Sequence, residues 1–137
     1  MKAVDTRRLY LFEHTFLIEK PYLRKPRSIQ FLRALADQVW AKHGRDGEKT
    51  PAVRITDGAA TSSCLGRSEI ELATATATYR NMAHNTVDTL LHELTHAMGY
   101  QSHGAGFARK YLELLSEYGQ CDEGELRMAM TLFNVKH

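Results

Sequence analysis

The chain has 137 residues, of which 43% are hydrophobic and 25% charged, with a formal net charge of +2 at pH 7. This length and apolar content predict one domain, spanning 1–137, that buries about two-thirds of its extended-chain surface. No apolar run is long enough to cross a bilayer, and the charged start from Met1 to Arg8 is unlike a secretory signal, which favours a cytoplasmic protein without membrane contact. The two cysteines, Cys64 and Cys121, fit neither a disulfide framework nor a CxxC metal site.

Two helices are predicted at the start of the chain. Apolar residues at helical spacing indicate a first helix from Asp5 to Glu19. Pro21 and Pro26 then interrupt the pattern, and Ser28 is a suitable N-cap for a second helix from Ile29 to His43.

Short strands are predicted next, at Ala52–Thr56, Ser63–Leu65 and Ser68–Ala73, and the run Ala73–Thr78 is also compatible with a strand. The stretch Ile70–Ala75 is our candidate for an edge strand, which an extended peptide can join through backbone hydrogen bonds. The alternative is a central strand that is already paired on both sides.

The motif HExxH follows, at positions 92–96. Two imidazoles four residues apart on a helix lie about 40° apart around its axis, so both can reach one metal ion. The glutamate between them, Glu93, then lies where it can accept a proton from a water on that ion.

The helical phase of the surrounding residues supports this interpretation. From Val87 onward the apolar residues fall within an arc of about 100°, which predicts one buried stripe, while His92 and His96 lie on the opposite face, towards a cleft. Gly99 is placed to end the helix. Asp88, one turn before His92, either holds the second nitrogen of that imidazole or, as we favour, is a solvated acid in the first turn.

A hydrolytic zinc site usually has three protein ligands and one position for water. The candidates for the third ligand are His103, His84, Glu113 and Glu117. His103 is favoured because Gly99 lets the chain reverse, and the next three residues are long enough to bring His103 back over the motif. The spacing, HExxHxxGxxxH, is one residue longer than the metzincin pattern.

Two further helices are predicted, from Gly106 to Glu117 and from Glu123 to about Phe133. The order of helix, helix, small sheet, motif helix, helix and helix is typical of an α+β domain. In such a domain a mixed or antiparallel sheet packs against the motif helix.

The segment Thr89–Leu115, with HELTHAMGY, HGAGF and ARKYLELL, resembles SprT-like zinc metalloproteases and the small bacterial and phage metallohydrolases allied to them. These proteins carry HExxH on one helix and a third histidine in an HGxxF-type turn that opens the next helix. The match covers about a fifth of the chain, and Ala105 and Gly106 stand where the family more often has Pro and Glu. The resemblance implies a zincin-like core, Zn²⁺ as the cofactor, Glu93 as general base and three zinc ligands, His92, His96 and His103.

The predicted function is therefore zinc-dependent hydrolysis of a peptide bond in a protein or peptide substrate, by a zinc-bound water that Glu93 activates. Four residues near the motif are candidates for stabilising the developing oxyanion: Tyr79, Arg80, His84 and Tyr100. One alternative is a zinc hydrolase of a non-peptide bond, including a nucleic-acid phosphate. The other is a regulatory or binding module that retains a zincin site. The sequence does not predict the oligomeric state.

A basic cluster surrounds the two early prolines and consists of Lys20, Arg24, Lys25 and Arg27. Because SprT-like proteases are associated with DNA, a weak nucleic-acid contact is one interpretation. A solvated loop is the favoured one, since the net charge is only +2 and no zinc finger is present.

Overall fold

The computed structural model describes residues 2–56, 63–65, 68–73 and 83–137. These residues contain six α-helices and three β-strands. The helices are α1 (Lys2–Thr15), α2 (Pro21–Arg24), α3 (Ile29–His43), α4 (Val87–Ala97), α5 (Ala105–Tyr118) and α6 (Glu123–Leu132). The strands are β1 (Ala52–Thr56), β2 (Ser63–Leu65) and β3 (Glu69–Ala73). The α+β class is confirmed, and within the described ranges no helix combines the length and apolarity needed to cross a membrane.

The sheet is mixed, with the strand order β1-β3-β2. β1 runs parallel to β3, and β2 runs antiparallel to it, so the alternative of a purely antiparallel sheet is wrong. β3 is central, and our candidate edge strand Ile70–Ala75 is therefore wrong over its described part; positions 74 and 75 lie outside the described residues. The physical reason is burial, because Ile70, Leu72 and Ala73 are all fully buried, as suits a strand paired on both sides. Most of the run Ala73–Thr78 also lies outside the described residues.

The N-terminal segment bends earlier than predicted. In place of one helix over Asp5–Glu19, α1 ends at Thr15 and is followed by a 3-10 turn at Leu17–Glu19 and then by α2. Pro21 opens α2, where its fixed φ and missing N–H are tolerated. The bend directs both Leu17 and Leu23 into the core, where neither side chain is exposed.

The motif helix α4 lies at the centre of the molecule. It contacts α2, α3, α5, β2 and β3, and its apolar stripe is fully buried. Its opposite face is also mostly covered, since His92 and Glu93 are each only 7% exposed. Thr86 occupies the N-cap position, and Gly99 follows the helix with a φ of 112°, a left-handed conformation that suits glycine.

Helix caps at other positions agree with the sequence. The Ser28 hydroxyl accepts a hydrogen bond from the backbone N–H of Phe31 at the start of α3. At α6, Asp122 accepts one from the N–H of Glu125. These contacts satisfy backbone donors that have no partner within the helix.

Candidate metal centre

Three imidazoles converge at one point between α4 and α5. The Nε2 atom of His103 lies 3.2 Å from Nε2 of His92 and 3.0 Å from Nε2 of His96. Two nitrogens bound tetrahedrally at roughly 2.0–2.1 Å from a zinc ion are about 3.3 Å apart, so this spacing is close to that of a three-histidine site. The three side chains are close enough to bind one metal ion, as the sequence predicts.

Local sequence explains how His103 reaches the other two. His92 and His96 share one face of α4 because they are one turn apart. At the end of α4 the N–H of Gly99 donates to the carbonyl of His96, and the left-handed φ of Gly99 turns the chain back. His103 follows just before α5, whose first turn begins at Ala105. The extra residue relative to the metzincin spacing is accommodated in this turn.

The second ring nitrogen of each histidine is hydrogen-bonded. Nδ1 of His92 lies 2.7 Å from a Glu13 carboxylate oxygen, and Nδ1 of His103 lies 3.0 Å from the Thr6 hydroxyl. Nδ1 of His96 lies 2.7 Å from the backbone carbonyl of Tyr100, which can only accept. In neutral His96 the proton is therefore on Nδ1, and Nε2 keeps its lone pair for a metal.

One aromatic side chain, Phe107, packs against all three imidazoles. The Phe107 ring centroid lies 4.9 Å from that of His92, 4.7 Å from that of His96 and 4.9 Å from that of His103. Phe107 is 1% exposed and belongs to the hydrophobic core. The three ligand rings are therefore fixed both by packing against a core residue and by the hydrogen bonds to their second nitrogens.

Charge at the site is concentrated in the pair of Glu13 and His92. Burial alone would lower the pKa of His92, but the adjacent Glu13 carboxylate raises it to about 9. Burial would likewise raise the pKa of Glu13, but the attraction of His92 and two hydrogen bonds keep it below its ordinary value. One of those bonds comes from the Tyr111 hydroxyl, which donates to the same carboxylate oxygen at 2.7 Å.

The other two histidines are held in the neutral form. Burial and then the positive charge of His92 lower the pKa of His96, and the same two causes together with His96 lower that of His103 to about 4. Neutral imidazole is the state that binds a metal. Proton competition at neutral pH is thus confined to His92.

Glu93 lies beside the cluster on the same helix. Its side chain is largely buried, and burial raises its carboxyl pKa above the ordinary value, with His92 opposing and Glu13 adding to the shift. A buried carboxylate with a raised pKa is a better proton acceptor than an exposed one.

The other candidate ligands lie elsewhere among the described residues. Glu117 bonds Lys42 and His43, and Glu113 bonds Lys110. His84 is not part of the three-histidine group, and burial followed by the charge of Arg24 lowers its pKa to about 4. Of the predicted oxyanion donors, Tyr79 and Arg80 lie outside the described residues.

Asp88 lies in the first turn of α4, as favoured from the sequence, but it is not solvated and does not hold the second nitrogen of His92. It is 4% exposed, so the favoured solvated position is wrong, and its carboxylate contacts the Arg24 guanidinium at 2.9 Å and 3.0 Å. It also accepts from the hydroxyl of Thr86 and the N–H of Thr89. The carboxylate therefore stabilises the first turn of α4 and joins it to α2.

Members of the basic cluster make intramolecular contacts. Arg24 donates to Asp88, and Lys20 pairs with Glu125. The Arg27 guanidinium lies between the rings of two aromatic residues, Tyr22 and Phe31, at 4.6 Å and 4.5 Å from their centroids. A nucleic-acid contact through this cluster stays a prediction.

Sequence reasoning missed the residues that support the ligands, namely Thr6, Glu13 and Tyr111. Thr6 and Glu13 are seven residues apart, two turns along α1, so they share a face of that helix. The available signal at Glu13 was its position four residues after Leu9 and three before Phe16, which places an acid among apolar residues at helical spacing. Nothing in the sequence indicates which histidine such an acid contacts.

Comparison with protein-family models, curated proteins and solved structures finds no match to this chain.

Proposed function

We propose that the protein is a zinc-dependent peptidase of the SprT-like, zincin type. The observation that carries the proposal is the convergence of three imidazole Nε2 atoms beside Glu93. The resemblance of the segment Thr89–Leu115 to that family is a second support, and it includes the same three histidines. Neither depends on the composition of the rest of the chain.

Zinc is the metal that suits these ligands best. Three nitrogen donors in neutral form, held near tetrahedral spacing, are typical of catalytic zinc sites that leave one position for water. Hard oxygen-preferring cations such as Mg²⁺ and Ca²⁺ are disfavoured by an all-imidazole set. When bound, zinc acts as a Lewis acid that makes a coordinated water acidic and polarises a substrate carbonyl.

Glu93 then has the role of general base. It takes a proton from the attacking water and transfers it to the leaving nitrogen as the C–N bond breaks. Its burial supports this role, because a raised carboxyl pKa brings proton affinity closer to neutrality. Glu13, which is hydrogen-bonded to His92, holds that ring in place and is too engaged to act as the base.

An extended peptide is the substrate conformation that we propose. β3 is paired on both sides, so it cannot accept a further strand. Among the described strands, β2 has a single partner and contacts α4, which places its backbone on the sheet edge next to the motif helix. Addition of a substrate strand at that edge gives affinity through main-chain hydrogen bonds with little side-chain selectivity.

The test combines metal analysis with activity. Purified protein is expected to bind one zinc ion, and His103→Ala is expected to lose most of its affinity in chelator competition, while His137→Ala, remote from the cluster, is unchanged. Zinc-loaded Glu93→Gln is expected to keep its metal but lose cleavage of labelled casein, with Glu113→Gln as the active control. Undiminished zinc binding by His103→Ala refutes the proposed site.

The same protein assayed with bis(p-nitrophenyl) phosphate separates the enzyme classes. Phosphodiester hydrolysis that depends on Glu93, without casein cleavage, identifies the non-peptide hydrolase. Tight zinc binding with neither activity identifies the binding module.

A further inference from the structure

One face of α1 lies against the three histidines. Thr6 contacts His103, and Glu13 contacts His92, through the hydrogen bonds described above. Tyr10 lies between them on the same face, four residues after Thr6 and three before Glu13. Its ring centroid is 5.7 Å from that of His103, so the phenol belongs to the surroundings of the metal centre.

Tyr10 differs from the other two residues in its exposure. It is 43% exposed, whereas Glu13 has 13% of its side chain exposed. His92 is buried, whereas His96 and His103 are only half-buried, and His103 is the histidine whose ring Tyr10 contacts. Tyr10 therefore lies beside a ligand histidine that solvent partly reaches.

The Tyr10 hydroxyl is available as a donor. No hydrogen bond to it is found among the described residues, unlike the hydroxyl of Tyr111, which is buried and donates to Glu13. A phenol has an ordinary pKa of about 10, so the hydroxyl carries its proton at neutral pH.

We propose that Tyr10 is a catalytic residue that donates a hydrogen bond to the oxyanion formed from the scissile carbonyl. This inference rests on the proposed peptidase function. As the water oxygen bonds to the carbonyl carbon, the C=O electron pair moves onto oxygen, and the Tyr10 O–H stabilises that charge beside the metal. The phenolic proton stays on Tyr10, and the only proton transferred is the one that Glu93 carries from water to the leaving nitrogen.

The other candidates among the described residues, Tyr100 and His84, are less suited to it. The Tyr100 ring lies against Gly106, and within the described part of the chain it makes no ring contact with a ligand histidine. His84 is held neutral and lies near Arg24 and Glu13. Tyr10 alone among these combines exposure, an unused hydroxyl and ring proximity to a ligand.

The test compares zinc-loaded wild type with Tyr10→Phe, which keeps the ring and removes only the hydroxyl. Loss of one oxyanion donor is expected to lower kcat for labelled casein by about 100-fold, with KM changed less than about two-fold. Zinc affinity and Tm are expected to match those of wild type. Tyr22→Phe removes a hydroxyl away from the site and serves as the matched control with unchanged activity.

A second readout is independent of turnover. Inorganic phosphate is a tetrahedral anion, and its affinity for the zinc-loaded protein, measured by calorimetry, is expected to fall by about ten-fold in Tyr10→Phe, as for loss of one hydrogen bond to a charged group. Unchanged kcat or unchanged phosphate affinity overturns the role of Tyr10. A parallel loss of zinc affinity also overturns it, because Tyr10 would then be a ligand.

Failure of the two proposals is distinguishable. A wild type that binds zinc but cleaves no peptide refutes the peptidase and this inference together. An active wild type with an equally active Tyr10→Phe refutes only the inference.

Discussion

Replacing Glu13 with Gln is expected to change how zinc binding depends on pH. Glu13 raises the pKa of His92 to about 9, so at pH 7 the metal-free protein carries a proton on this ring that zinc must displace. His96 and His103 have lowered pKa values and are already neutral. With a pKa of about 9, roughly 0.99 of His92 is protonated at pH 7, so in wild type His92 is expected to release about one proton per zinc ion, beside any release from the metal-bound water that both proteins share.

In Glu13→Gln the attraction that raises the His92 pKa is lost, while burial, which lowers it, remains. The pKa is then expected at or below the ordinary value of about 6.5, and the part of the proton release at pH 7 that comes from His92 falls to about a quarter or less. Calorimetric titration with zinc in two buffers of different ionisation enthalpy measures this number directly. Glu113→Gln, on the exposed face of α5, is the matched control and is expected to behave as wild type.

The affinities of the two proteins are expected to converge as the pH falls. Above pH 9, loss of the carboxylate that orients His92 is expected to weaken zinc binding by about 10–100-fold. Between pH 9 and pH 7 wild-type affinity falls by about ten-fold per pH unit, or about 100-fold in all, whereas Glu13→Gln stays nearly flat, so near pH 7 the difference is cancelled or reversed by up to about ten-fold. The stability of the metal-free protein changes with pH in the direction opposite to that of the zinc affinity. The raised pKa of His92 stabilises the fold fully below about 6.5, and this contribution is lost as the pH rises through about 9. A wild type that releases no proton at pH 7 refutes this reasoning.

Three further predictions concern the support of the site. Thr6→Val removes the hydroxyl that contacts Nδ1 of His103 and is expected to weaken zinc binding by about ten-fold in chelator competition; unchanged affinity would show that the contact does not orient the ring. Phe107→Ala removes the ring that packs against the three imidazoles and is expected to lower the free energy of unfolding of the metal-free protein, measured in urea, by about 3–5 kcal/mol. A loss under about 1 kcal/mol would contradict the place of Phe107 in the core. Asp88→Ala leaves Arg24 without its buried partner and is expected to cost about 3–5 kcal/mol in the same assay, whereas a cost near zero would show that solvent screens the pair.

The local parts of the fold and site follow from the sequence. HExxH places two imidazoles on one face of a helix, and Gly99 predicts the turn that returns His103 to them. Both depend on contacts within a dozen residues, where helical periodicity and glycine conformation determine the geometry. The α+β class, the three strands and the Ser28 cap of α3 were predicted for the same reason.

The parts that were not predicted depend on contacts between distant segments. The central position of β3 is set by which strands pair, and alternation within one strand does not contain that information. Glu13 lies 79 positions before His92, and Arg24 lies 64 positions before Asp88. A buried acid resembles a solvated one in sequence until its partner is known. The early end of α1 has a similar origin, because burial of Leu17 and Leu23 outweighs the helical pattern that continues past Thr15.

The position of α1 has a consequence for the energetics of the whole molecule. All three ligands lie between positions 92 and 103, yet two of the contacts that fix their rings come from α1, near the other end of the chain. By thermodynamic reciprocity, if the docked helix tightens metal binding, then the metal tightens the docking of the helix by the same factor. Amide protons of α1 are therefore expected to exchange with deuterium more slowly once zinc is added, so a helix without a single ligand reports occupancy of the site.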